Sequence, residues 1–347
     1  MYKIKTTNYA GESLYSEPLP ITVGLVPNAP TNLRISSQTV PTVVSLAWNP
    51  ETVIVDNPKT LAYKVYIDDL SGNPPKIVFD TTDNALVYET TVSGLTLGAL
   101  YKATVTATNE IGESLSSSPL TIHVGILPSK IKNVRLDSST TTSIFLRWDF
   151  PESNGGLALS EYTVYLDVGQ TGVPTQTVTI TDTLQNWLNV ASLTTGVKVD
   201  VEISASNVNG EGEKSDSRTY YVATAPAQMA APTETKITLP NYSKDEAAVQ
   251  VSWVAPSNNG APVYGYKLYM ADGPREYSLI YDGVNRADIL TFTATKNILK
   301  TQWYRFRVSA VNIIGESVLS AELTVFVAVV PSTPLNFTFV SSDTGSI

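Results

Sequence analysis

The sequence predicts an all-β chain built as a tandem series of two-layer sandwiches. Three observations predict it. A Trp closing an alternating apolar run recurs at Trp48, Trp148 and Trp253, at intervals of 100 and 105 residues. A second signature, Asn-x-x-Gly, recurs at Asn8, Asn109, Asn207 and Asn312. Between these marks the apolar residues alternate with period two, and turn signals recur about every 8–12 residues with no stretch of helical period. Self-similarity at a fixed spacing means that each unit solves its folding problem separately. Short alternating strands punctuated by turns solve it as a sandwich.

Each element follows in order along a unit. Val44, Leu46 and Trp48 fall on one face of a strand, as do Ile144, Leu146 and Trp148, and Val249, Val251 and Trp253. A Pro-bearing loop follows (Pro50, Pro151, Pro256), then a strand with inward Tyr63/Val65/Ile67, Tyr162/Val164/Leu166 or Tyr266/Leu268/Met270. A later strand carries Tyr101, Ala103, Val105, Ala107 and Asn109 in one register, matched by Val199 to Asn207 and by Tyr304 to Asn312. Leu95-x-x-Gly98-x-x-Tyr101 precedes it, a turn in which the Tyr hydroxyl bonds back to the chain and pins a corner between the sheets. The Asn-x-x-Gly after it marks a hairpin, because Gly accepts positive φ.

This set of motifs resembles the fibronectin type III domain over essentially the whole chain. The resemblance implies seven-stranded, immunoglobulin-like sandwiches, strung here in an elongated rod. Two departures stand out: Val199 occupies the corner Tyr position of the second complete unit, and the first complete unit lacks the Asn/Gly loop seen at Asn154-Gly-Gly156 and Asn258-Asn-Gly260. The expected division is a C-terminal remnant over 1–24, domains over 25–125, 126–224 and 225–329, and an N-terminal remnant over 330–347. On that register the chain reads as a window cut from a longer array. Pro-bearing junctions at Pro27, Pro128, Pro226 and Pro331 limit bending between units.

Composition narrows the function classes. The chain has 347 residues and a formal net charge of −9. The first complete unit holds 5 Lys/Arg against 9 Asp/Glu, the second 7 against 11, and the third 9 of each. No unit is basic, so a nucleic-acid partner is not expected. No apolar run approaches the ~18 residues that span a bilayer. With no Cys in the chain, disulfides, thiolate metal sites and cysteine nucleophiles are excluded. The single histidine, His123, has no companion for metal binding or acid–base work, and Asp68-Asp69 and Asp245-Glu246 point apart as neighbours in a strand or turn do. No catalytic, cofactor-binding or metal residues are expected, and no cofactor.

Surface aromatics and sequons carry the remaining expectations. Strand parity turns Trp187 and Trp303 outward, and Tyr66, Tyr165 and Tyr269 share an outward register, so these five are the candidate partner contacts. Each Trp also has a plainer reading as the cover of its own domain's edge or of a junction. Asn241-Tyr-Ser243 and Asn336-Phe-Thr338 are N-glycosylation sequons, to be occupied if the protein is secreted. The integrin-recognition tripeptide Arg-Gly-Asp, found in some members of the family, is absent.

Three readings remain open at this point. One is a structural or adhesive segment of a long extracellular fibre or cell-surface protein, with other copies of itself or further repeats as partners. Another is an array binding glycans or surface proteins, and the third an intracellular, titin-like cytoskeletal scaffold.

Overall fold

The structure, a computed structural model, describes residues 1–238 and 247–328. Three sandwiches follow one another, each with one three-stranded sheet facing one of four or more strands. In the first complete unit, Thr31–Val40, Val43–Asn49 and Glu89–Val92 form one sheet, while Lys76–Asp80, Ala62–Asp68, Leu100–Thr108 and Leu120–His123 form the other. The third unit repeats this with Thr233–Thr238, Ala248–Ser252 and Thr291–Ala294 against Ser278–Asp282, Gly265–Asp272, Trp303–Val311 and Leu323–Phe326. The second has Arg135–Ser139, Ile144–Arg147 and Trp187–Val190 against Gln176–Ile180, Leu159–Val168, Lys198–Asn207 and Arg218–Tyr221, with the short Gly210–Glu211 added beside Lys198–Asn207. Every named strand pair is antiparallel.

Alternation in sequence becomes alternation in burial. Val44, Leu46, Ile144, Leu146, Val249 and Val251 are fully buried, and Trp48, Trp148 and Trp253 close their strands inside the core. Each Trp ring lies within 6 Å of the inward Tyr of the next strand, at 5.9, 5.8 and 5.9 Å between centroids. Fully burying such a side chain contributes roughly 2–3 kcal/mol. The buried apolar side chains fall into three separate clusters, one per unit, so no core is shared.

The corner expected at Tyr101 is present: its hydroxyl accepts from Thr96 N at 3.3 Å, and Tyr304 accepts from Leu299 N at 2.7 Å. Gly98 takes φ +79 in that turn and Gly196 takes +86, whereas in the third unit Thr301 accepts the left-handed conformation at φ 58. The second unit solves the corner differently. Tyr101 faces Ile122 and Tyr304 faces Val325 across the last two strands, but Val199 faces Tyr220. The tyrosine has moved to the opposite member of the pair, and its hydroxyl donates to Val134 O at 2.7 Å, tying the last strand to the first. The pair keeps its volume and a part-buried hydroxyl bond, so the loss expected at Val199 is compensated from the facing strand.

Residues 1–24 carry a hairpin, Thr7–Asn8 against Gly11–Glu12, with an isolated bridge between Tyr2 and Leu19. Residues 330–347, the sequons at Asn241 and Asn336, and Asp245-Glu246 lie outside the described residues.

Candidate functional site

The most elaborate arrangement in the molecule lies where one unit meets the next. At the first junction, Ile126 N donates to Gly155 O at 2.9 Å, so the connector runs beside the Asn154-Gly-Gly156 loop of the unit it enters. Gly155 has φ +76, and a Cβ there would sit 1.9 Å from Ile126 O. Gly156 packs on the preceding unit: a Cβ on it would meet Leu97 Cδ1 at 2.2 Å, and its carbonyl lies 3.2 Å from the Cβ position of Gly98. Asn209, in the hairpin of the second unit, donates from Nδ2 to His123 O at 3.1 Å and to Gly125 O at 2.8 Å.

The second junction repeats the plan. Thr224 N donates to Asn259 O at 3.2 Å, and Asn259 Nδ2 returns a bond to Ala225 O at 2.9 Å. Gly260, at φ +101, abuts the corner turn of the preceding unit, where an added Cβ would lie 2.8 Å from Val222 O and 2.9 Å from Gly196 N. Thus in both cases a glycine of the loop is pressed against the corner turn before it. At Gly155 and Gly260, where the facing atoms are backbone, only a residue without Cβ permits so close an approach, which is the physical reason for the glycines of this loop.

A second element anchors each connector. The Asn of Asn-x-x-Gly is nearly or fully buried, at 4% exposure for Asn109 and Asn207 and 0% for Asn312. Its Oδ1 accepts from the hairpin backbone, while its Nδ2 reaches the connector and the loop: Leu25 O and Pro58 O, Ile126 O and Asn154 O, or Thr224 O and Asn258 O. Sequence reading assigned this Asn to the turn alone. Its recurrence with a fully amide-competent side chain, both donor and acceptor, was the available signal. The first complete unit, which lacks the Asn/Gly loop, substitutes Asn57-Pro58: Asn57 Oδ1 accepts from Leu25 N at 2.6 Å and its Nδ2 donates to Leu25 O at 2.9 Å.

The outward tyrosines are half-buried and their hydroxyls are occupied. Tyr66 donates to Glu113, Tyr165 to Glu211 and Tyr269 to Glu316, in each case the residue after the hairpin glycine. Thr106, Ser204 and Ser309 bond the same carboxylates. Ser204 and Tyr165 hydroxyls hold Glu211 below the usual carboxylate range against its partial desolvation. The Glu recurs at positions 12, 113, 211 and 316, a signal the sequence reading passed over.

Trp187 and Trp303 do point outward, with 41% and 55% of their surface exposed. Trp187 stacks on Phe145 at 5.5 Å with 14° between planes, opposite Arg147, whose guanidinium lies 5.8 Å from the Phe145 ring and 3.4 Å from Asp137. Trp303 lies 4.8 Å from Phe326, its cross-strand neighbour. The structure therefore does not bring the five aromatic candidates together: Trp187 lies on the three-stranded sheet of its unit, the tyrosines and Trp303 on the other sheets.

Asp68 and Asp69 bind turn amides at Leu70 and Ser71, a structural role. Among the described residues no three His, Cys, Asp or Glu cluster as a metal site, and no helix is long and apolar enough to cross a membrane.

Residues 28–123 match the family model of the fibronectin type III domain. Over longer stretches the chain is similar to protein sidekick-1 of Gallus gallus, 25% identical across 93% of this chain and 16% of that protein. It is also similar to fibronectin type III domain-containing protein 1 of Margaritifera margaritifera, 24% identical across 90% of this chain and 40% of that one. It thus spans well under half the length of each. Among solved structures, the chicken CNTN1 FN1-FN3 domains align at 18% identity with a TM-score of 0.40, covering 87% of this chain and 99% of that one. The domain model is thus matched on the first complete unit, whose strand order and motifs repeat in the next two: the chain is a tandem array of like sandwiches, the first of them a fibronectin type III domain.

Proposed function

We propose that the chain is a non-catalytic, semi-rigid spacer in a long extracellular fibre or cell-surface repeat protein, with its outer faces serving as assembly contacts. The domain division expected from the sequence, with units over 25–125, 126–224 and 225–329, belongs to this proposal. The observation that carries it is the junction: at two successive boundaries a loop glycine presses on the preceding corner turn while an Asn side chain secures the connector. Such a joint resists bending through close packing, of Gly156 on the Leu97 side chain at the first boundary and of Gly260 on the backbone of Val222 and Gly196 at the second. Small-angle scattering of the purified chain tests it. A maximum dimension close to three domain lengths supports the reading, and a collapsed or broadly distributed shape sinks it.

A second reading, a module recognising glycans or surface proteins, is favoured by the exposed Trp187–Phe145 stack with Arg147 beside it. Flat aromatic surface next to a planar cation suits sugar or side-chain stacking. Glycan-array binding lost in Trp187→Ala would carry that reading, and array signals equal for the two proteins would dismiss it. The extracellular assignment is tested separately by mass spectrometry of native material, where a glycan on Asn241 or Asn336 supports it and unmodified asparagine at both speaks against it.

A further inference from the structure

The outer face of the larger sheet has the same layout in all three units, but its charge differs. Along the penultimate strand the outward row reads Lys102, Thr104, Thr106 in the first unit, Asp200, Glu202, Ser204 in the second and Arg305, Arg307, Ser309 in the third. The neighbouring strand sets Tyr66 opposite Thr104, Tyr165 opposite Glu202 and Tyr269 opposite Arg307. These are equivalent positions carrying opposite charge.

Each charged row is bonded within its own unit but not neutralised there: Arg305 donates from Nε to Gly273 O at 2.9 Å and from Nη2 to Arg275 O at 2.8 Å, and Arg307 from Nε to the Tyr277 hydroxyl at 3.2 Å, all of them uncharged acceptors. In the second unit Asp200 stands directly across from Asp167, a like-charge pair that disfavours the sheet, whereas the first unit sets Lys102 across from Asp68. Among the described residues Asp200 takes its bonds from neutral partners, Gln170 and Thr219, and Glu202 has Lys214 at 3.4 Å. Lys214 also lies over the Tyr165 ring, and Lys198, next in the row, lies over Tyr221. Of these three carboxylates Glu202 alone has an ammonium at ion-pair distance among the described residues, while Asp167 accepts from Thr171 and Gly172 of its own turn. In the third unit the balance is inverted: Arg305 and Arg307 share Glu322, at 3.4 and 3.8 Å, and flank the Tyr277 ring at 5.1 and 5.2 Å. Two guanidiniums share one carboxylate.

Resting on the reading of the outer faces as assembly contacts, we propose that this face of the second unit docks on the same face of the third unit in a second copy of this chain. Asp200 and Glu202 meet Arg307 and Arg305. Both rows are i, i+2 pairs on one strand, so the charges in each stand roughly 6.7 Å apart, and antiparallel apposition satisfies both pairs at once. The half-buried rings of Tyr165 and Tyr277 and the exposed Trp303 supply flat apolar surface around them. Complementary charge of this kind sets register and excludes the alternatives, because second-on-second and third-on-third contacts place like charges together.

Sedimentation of the full chain in low and high salt tests the proposal. The wild type should self-associate in about 50 mM salt and weaken about tenfold or more by about 500 mM, where the screening length drops to a few ångströms. Asp200→Arg/Glu202→Arg and Arg305→Glu/Arg307→Glu, each checked for an unchanged thermal melt, should both be monomeric alone and should associate when mixed. The variant carrying all four substitutions should regain self-association. A wild type that stays monomeric at about 100 µM, above the micromolar range of weak interfaces, overturns the proposal. So does association that neither pair of substitutions disturbs. Distance distributions across the second junction, measured on the same samples, separate the two readings: a narrow distribution in a monomeric chain overturns the docking alone, and a broad one overturns the spacer.

Discussion

Gly260→Ala should loosen the second junction while leaving both neighbouring cores formed. A non-glycine residue in the left-handed region costs about 1–2 kcal/mol, and Gly260 sits at φ +101. The new Cβ would also lie 2.8 Å from Val222 O and 2.9 Å from Gly196 N, both backbone atoms of the preceding unit. Ordinary contacts are ~3.5 Å or more, so the loop must retreat by roughly 0.6 Å. That retreat weakens the Thr224 N to Asn259 O bond, already 3.2 Å long, with a net contribution of about 1 kcal/mol. Together the closed joint loses about 2–3 kcal/mol, enough to turn a population ratio of roughly a hundred to one into comparable open and closed forms. Because the chain has no Cys, paired spin labels can be placed freely, for example at Thr177→Cys and Glu276→Cys, on the second and third units. Pulsed dipolar measurements should give a narrow distance distribution for the chain with Gly260 and a broad one for the Gly260→Ala variant. An unchanged width would refute the argument that backbone contact at this glycine holds the joint.

Other consequences follow from the same geometry. Asn207→Ala leaves Ile126 O and Asn154 O without their donor and Asn209 N without its acceptor, and should lower the stability of the second unit by about 2–3 kcal/mol in urea denaturation. Val199→Tyr alone overpacks the Val199–Tyr220 pair and should cost about 1–3 kcal/mol. Adding Tyr220→Val rebuilds the arrangement of the third unit and should recover most of that loss, a coupling that a double-mutant cycle reads directly. Because Ser204 and Tyr165 hydroxyls hold the Glu211 carboxyl below its ordinary range, its contribution is present above the unfolded-state value and is lost as pH falls through the folded one. Urea melts should therefore show the second unit losing stability below about pH 4.3, with a shallower loss in Glu211→Gln.

What was legible beforehand depended on whether a feature belongs to one strand or to two distant segments. Period-two burial and the Trp positions read directly because burial on a sheet face is a local alternation, and the core lists of all three units follow it. The outward register of Trp187, Trp303 and the three tyrosines read correctly for the same reason. What the tyrosines do with their hydroxyls did not, because Glu113, Glu211 and Glu316 lie more than forty residues away in sequence.

Sequence by itself thus determined the fold class and the residues that fill each core, since these rest on repeat spacing and side-chain alternation. Only the tertiary structure decided that Gly156 and Gly260 touch the unit before them, that Asn207 ties a connector, and that Tyr220 replaces the missing corner tyrosine. Those facts depend on which segments the sandwich brings side by side across its two sheets and its ends, and no local pattern encodes that adjacency.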